Sequence, residues 1–113
     1  MAIILAMSSR RQFEIIFDEA VVTHVAAMAR QDRVAVLDAI EQQLRHEAIV
    51  RTRNRKPLRM PNTLNATWEL RCGPNNRYRV FYDVDVEESV VIVLAIGRKA
   101  GNRLTVGSEE FEL

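Results

Sequence analysis

Cysteine is nearly absent from this sequence: Cys72 is the only one in 113 residues. No internal disulfide can form and no cysteine-rich zinc site can assemble, which suits a protein of the reducing cytoplasm. Histidine is scarce too. His24 and His46 lie far apart, and no acidic cluster has metal-ligand spacing, so neither a metal nor any other cofactor is expected. Long apolar runs are also missing. The opening MAIILAM is far shorter than the roughly 20 residues that span a bilayer, and no basic residue precedes it as in a secretory signal. No membrane association is expected. Residues 1–12 read as an N-terminal extension, irregular or strand-like, with Met7 as a second candidate start. Repeats and low-complexity segments are absent as well.

What remains is an ordinary globular composition, 48% hydrophobic and 27% charged, of a length that suits one domain over residues 1–113 with a core of its own. The net charge of +1 conceals an asymmetry. Residues 51–79 hold eight basic side chains (Arg51, Arg53, Arg55, Lys56, Arg59, Arg71, Arg77, Arg79) and one acidic, Glu69, so this segment carries +7 and the rest −6. A solvated surface intersperses its signs, whereas concentrated positive charge is what a polyanion-binding face requires. Nucleic acid is the leading partner class.

Local patterns predict the elements. Residues 13–17 (FEIIF) read as a strand, and Asp18 then offers an N-cap for a helix over 19–30. Gln31-Asp32 interrupts the pattern as a second capping candidate. A second helix follows, with Val34, Leu37, Ile40, Leu44 and Ala48 as its apolar stripe, so that the two form a hairpin. Residues 51–61, with two prolines and no periodicity, predict a surface connection whose arginines stay exposed. Three strand-like runs, 66–72, 78–84 and 89–96, make an antiparallel meander, the third apolar on both faces and so central. The tail, 101–113, holds at most an edge strand at 104–106. With the helices on one face of the sheet, the other is free for function.

Alternation along the strands sets Trp68, Leu70 and Cys72 toward the core and Glu69 and Arg71 the other way. Arg77, Arg79, Phe81 and Asp83 share one face of the next strand, so Arg71 and Arg79 meet on the open face. A turn at Gly97 brings Arg98 and Lys99 to its rim. Such a cluster repels itself unless an anion fills it.

In WELR (68–71), YRVFY (78–82) and LAIGRK (94–99) the sequence resembles the bacterial type II toxins of the RelE/ParE superfamily, over residues 13–106. The resemblance implies an α+β fold, with an N-terminal strand and helical hairpin packed on one face of a small antiparallel sheet. It implies the toxin of a type II toxin-antitoxin module: a metal-independent, ribosome-dependent mRNA endoribonuclease that inhibits translation. The alternatives are a ParE-like non-enzymatic gyrase inhibitor, or a catalytically inactive relative that binds RNA or antitoxin. The implied partners are a cognate antitoxin and mRNA on the ribosome, in a homodimer or a toxin-antitoxin heterotetramer. By position, Arg79 matches the family's phosphate-contacting arginine, Arg71 a catalytic basic residue, and Lys99, or Arg98 beside it, the second basic position. Arg51, Arg53, Arg55, Lys56, Arg59, Arg77 and Arg98 complete the RNA-binding set. The departure is at the C-terminus, where the best-known cleavers carry a proton-transferring tyrosine or histidine and this chain has neither. Tyr82 stands as the catalytic substitute, with Tyr78, His46, Glu69 and Asp83 behind it.

Each signal has an ordinary structural counterpart. Trp68 and Tyr82 pack by default, and His24 and His46 suit helix surfaces. The loop arginines suit a solvated connection. Arg71 with Glu69 and Arg79 with Asp83 suit plain cross-strand ion pairs.

Overall fold

The computed structural model describes residues 11–112. The expected extension up to residue 10, with Met7, and Leu113 at the end of the tail lie outside the described residues. The elements run β1 (Glu14–Phe17), α1 (Glu19–Ala26), α2 (Arg30–Glu47), β2 (Arg55–Pro57), β3 (Trp68–Cys72), a 3-10 turn (Pro74–Asn76), β4 (Tyr78–Asp85), β5 (Val90–Ala100), β6 (Arg103–Val106) and β7 (Glu109–Glu112). They form one seven-stranded sheet in the order β2-β3-β4-β5-β6-β7, with β1 set beside the first half of β5. All pairings are antiparallel except β1 with β5, which is parallel.

Asp18 starts α1 as its type predicts: its carboxylate accepts from Ala20 N at 3.0 Å, with Glu19 in the positive first turn. That helix ends sooner than expected, at Ala26. Ala29 precedes α2 without any side-chain cap, and Asp32 is no cap but lies inside the first turn, where it accepts from the Tyr78 hydroxyl at 2.7 Å. A tertiary partner has taken the carboxylate that local pattern assigned to capping. The buried stripe of α2 is Val36, Ile40 and Leu44, continued by Ala48, whereas Val34 is 52% exposed. Spacings of three and four admit either valine, and packing on the sheet selected Val36. Val36, Ile40 and Leu44 each contribute about 1.5–3 kcal/mol by this burial.

The main core lies between the helices and the sheet, where Phe13, Val21 and the α2 stripe meet Leu70, Val80, Val91 and Val93. Trp68 and Tyr82, directly opposed on β3 and β4, stack with centroids 6.2 Å apart, and the Tyr82 hydroxyl donates to Ala48 O at 2.7 Å. Tyr82 is thus a core residue that satisfies an orphan carbonyl beyond α2. Arg55, the first residue of β2 within the expected connection, is also buried: only 3% exposed, it donates to Gln43 O in the last turns of α2 at 2.7 Å and to Val50 O beyond it at 3.1 Å. The expectation that the loop arginines stay exposed fails here because the helix end supplies carbonyls that a buried guanidinium needs.

Opposite Phe81 and Tyr82 of β4, the register on β5 jumps from Ala95 to Val93, leaving Leu94 as a bulge. Val91 and Val93 pack on the helix side before it; beyond it Ile96 takes that side, and Leu94 and Ala95 both join a second, smaller core on the opposite face. That core also holds Ala66, Phe81, Leu104 and Val106, with Leu58, Leu64 and Phe111 packed against it. The open face is therefore partly covered. The covering loop is organised by Asn62, whose amide donates to Ala66 O at 2.8 Å and accepts from Leu64 N at 3.1 Å and Ala66 N at 3.2 Å. Gly97 is not at a turn: it sits inside β5, where a Cβ would come within 2.8 Å of Leu104 and Val106 side chains. The turn comes at Gly101, with φ +61°, and β6 is no edge strand because β7 pairs beyond it.

Candidate anion-binding cleft

On the face away from the helices lies a cleft of about 480 Å³. Its position follows from rows of side chains across the strands. One row runs Arg71, Arg79, Gly97, Val106; the next runs Lys99, Leu104, Phe111; a third runs Lys56, Glu69, Phe81, Ala95. Among the described residues the charged lining is Lys56, Arg59, Arg71, Arg79 and Lys99 against Glu69 alone.

Arg71 and Arg79 are directly opposite in register, an arrangement of like charges that destabilises a sheet unless it is compensated. The compensation is Glu69. One of its carboxylate oxygens lies 3.5 Å from Arg71 Nε, 3.9 Å from Lys56 Nζ and 4.0 Å from Arg79 Nε. Glu69 is 9% exposed and Arg79 7%, so this contact sits in a medium that screens it poorly. Burial lowers the Arg79 pKa from the ordinary arginine value, an effect the Glu69 charge opposes and Arg71 adds to. A guanidinium remains a cation throughout. Its Nη1 donates to the carbonyls of Asn76 and Tyr78, which fixes the fork beneath the cleft. Arg71 is freer, its side chain 40% exposed. One carboxylate cannot neutralise five cations, so the cleft keeps a positive field that an anion, above all a phosphate, would satisfy.

The structure brings together Arg71, Arg79 and Lys99 of the proposed catalytic set, with Lys56 and Arg59 from the RNA-binding set. The others are elsewhere. Tyr82 is fully buried on the helix side, where burial raises its pKa far above the ordinary tyrosine value, so it cannot serve as the proton carrier. Arg55 is buried under α2. Arg51 and Arg53 are exposed and Arg77 half-buried, all outside the cleft lining. Arg98 lines a different cleft, of about 530 Å³, beside His24, Asp32 and Tyr78. Tyr78 is held by Asp32 there, and Asp83 accepts from Thr67 Oγ1 at 2.6 Å rather than pairing with Arg79. The histidines are structural: His46 Nδ1 lies 3.0 Å from Arg11 O, and His24 Nδ1 accepts from Ile96 N at 3.2 Å. Two features escaped the sequence reading. Glu69 appeared there as one partner among several, whereas it is the hub. Reading 101–113 as a tail hides Phe111, although Gly107-Ser108 between Val106 and Glu109 is a two-residue hairpin signal.

The family model described as ParE toxin of type II toxin-antitoxin system, parDE, matches residues 3–103. Among solved structures, a chain of the toxin-antitoxin complex RelBE2 from Mycobacterium tuberculosis shares the fold, with TM-score 0.65 and 24% identity, covering 80% of this chain and 94% of that one. No curated protein matches the chain in sequence. The order of elements and the family match agree with the resemblance read from WELR, YRVFY and LAIGRK, and the chain belongs to the ParE toxin family of type II toxin-antitoxin systems.

Proposed function

We propose that this toxin cleaves mRNA on the ribosome by a metal-independent reaction in the cationic cleft, and that it does so in the cytoplasm. The observation that carries the reading is the cross-strand pair Arg71 and Arg79, with Lys99 nearby, gathered about one buried carboxylate in an open cleft. The ribose 2′-OH attacks the adjacent phosphorus, the 2′-O–P bond forms and the P–O5′ bond breaks, leaving a 2′,3′-cyclic phosphate and a 5′-hydroxyl. Charge gathers on the non-bridging oxygens, where Arg71, Arg79 and Lys99 would hold it. With Tyr82 out of reach, the Glu69 carboxylate would accept the 2′-OH proton and the Lys99 ammonium would supply one to O5′. In-line alignment by the ribosome would provide much of the rate. The test is end-group analysis of transcripts cleaved in the presence of EDTA. Cyclic or 3′-phosphate ends support the mechanism; 3′-hydroxyl ends, or a requirement for magnesium on ribosome-free RNA, overturn it.

A second reading, non-enzymatic inhibition of DNA gyrase, is favoured by one observation: among the described residues no imidazole, phenol or thiol lines the cleft. Inhibited supercoiling by purified gyrase, with transcripts intact, would decide for it. Under either reading a cognate antitoxin is the expected partner. The solved relative comes from a toxin-antitoxin complex, and an acidic segment would neutralise the cleft.

A further inference from the structure

The connection between β3 and β4, residues 73–77 (GPNNR), holds two overlapping turns: Asn76 N donates to Gly73 O at 3.0 Å, and Arg77 N donates to Pro74 O at 3.2 Å. The first has proline in second place and Asn75, with φ +55°, in third, the pattern of a type II turn. The second is centred on Asn75 and Asn76 and needs positive φ at both, which stand at +55° and +52°. Two consecutive left-handed residues without a glycine are uncommon. Asparagine tolerates that conformation and a β-branched residue does not. Both asparagines are exposed, and neither lines the cleft. The turn is anchored from below by Gly73, at φ +78°, where a Cβ would come within 2.6 Å of the Tyr78 ring.

The carbonyl that this backbone presents is the one that receives Arg79. Nη1 of Arg79 donates to Asn76 O and, at 3.2 Å, to Tyr78 O of its own strand, so Asn76 is what ties the guanidinium to the turn. Direct opposition to Arg71 pushes the Arg79 head away, and the Glu69 contact, at 4.0 Å from Nε, is too long to set its direction. The hydrogen bonds set it. Asn76 also reaches the opposed strand, because its side-chain amide donates to Asn54 Oδ1 at 3.4 Å and Asn54 O accepts from Arg71 N at 2.7 Å. We propose that Asn75 and Asn76 are positioning residues of the cleft, whose left-handed backbone aims the Asn76 carbonyl at the Arg79 guanidinium and so holds its fork in place for a phosphate. The inference rests on the reading of the cleft as the site of action. It adds two exposed residues outside the lining that set the geometry of the buried cation.

The experiment compares Asn75→Gly, Asn76→Gly, Asn75→Val and Asn76→Val by two readouts. One is the Arg79 side-chain Nε–H signal in nitrogen-proton NMR spectra of the whole chain, assigned by its loss in Arg79→Lys. The other is the amount of soluble toxin needed for half-maximal growth arrest on induction, with urea unfolding to give the folded fraction. Glycine takes positive φ freely, so both glycine variants should keep the Arg79 signal distinct from those of the exposed arginines and arrest growth as the parent does. In both valine variants the signal should merge with the exposed set, and the amount of folded toxin needed should rise on the order of tenfold to a hundredfold, as for a displaced functional group. Should valine prevent folding, Asn75→Ala and Asn76→Ala, which resist positive φ less severely, carry the same comparison. An unmoved Arg79 signal, with arrest falling only in step with the folded fraction, would overturn the inference and leave the cleft reading intact. A merged signal with undiminished arrest would show that the turn holds Arg79 but that the toxin does not act through it, which overturns both readings. A parent chain that arrests no growth would do the same.

Discussion

Arg71 and Arg79 face each other directly across β3 and β4, and the carboxylate of Glu69 reaches both, at 3.5 and 4.0 Å. This relationship makes the two arginines unequal. Arg79 is locked by carbonyls beneath the cleft, and Arg71 is free to follow a ligand.

Arg71→Ala should therefore separate function from folding. Its side chain is 40% exposed, so the variant should unfold within about 0.5 kcal/mol of the parent while growth arrest on induction is lost or strongly reduced. Arg79→Ala should also abolish toxicity but lose stability as well, because it leaves the Asn76 and Tyr78 carbonyls without their donor. Undiminished arrest by folded Arg71→Ala would remove the cleft from the mechanism.

Glu69→Gln leaves Arg79 buried beside Arg71 with no counter-charge. Loss of one partner of a buried pair costs about 3–5 kcal/mol, and urea unfolding should show a shift of that order. Inorganic phosphate should stabilise the variant more than the parent, since an anion can stand in for the missing carboxylate. An unchanged midpoint would mean that the cluster needs no counter-ion.

Tyr82→Phe tests the reassignment of that residue to the core. It removes the donor to Ala48 O and should cost about 1–3 kcal/mol. Toxicity per folded molecule, measured as growth arrest against soluble protein, should stay as it was; a catalytic loss without a stability loss would return Tyr82 to the site.

His24 carries the pH dependence. Its Nδ1 accepts from Ile96 N, so the proton sits on Nε2, and burial lowers its pKa from 6.5 although the nearby Asp18 charge opposes the shift. Protonation of Nδ1 would break the bond. The unfolded chain takes up a proton more readily than the folded one, so the His24 contribution is complete above about pH 6.5 and declines as pH falls through the lower folded pKa. His24→Asn can retain an acceptor and should flatten this part of the urea-midpoint profile between pH 7.5 and 5. Parallel profiles for the two proteins would show that His24 does not titrate against the fold.

Much of this was legible in the chain because it depends on local periodicity. FEIIF followed by Asp18 marked β1 and the start of α1, and the alternation of Trp68, Glu69, Leu70 and Arg71 placed the first arginine on the face it occupies. Short connections announced the meander of β3, β4 and β5. The charge asymmetry of residues 51–79 pointed to the class of partner, since charge along a chain is visible without any fold.

What only the tertiary structure decided lies where distant segments meet. Strict alternation from Val91 and Val93 would turn Lys99 toward the helices and Arg98 toward the cleft. The bulge at Leu94 reverses that parity, puts Lys99 beside Arg79 and sends Arg98 to the other side. Arg55 and Tyr82 read as a surface cation and a candidate acid because their side chains allow it; the carbonyls at the end of α2 claimed both. Phe111 became part of the site because β7 pairs with β6 rather than trailing from it. A side chain's type and its period along the strand are properties of neighbouring residues, whereas register shifts and the partners of buried polar groups are settled only when the sheet closes against the helices.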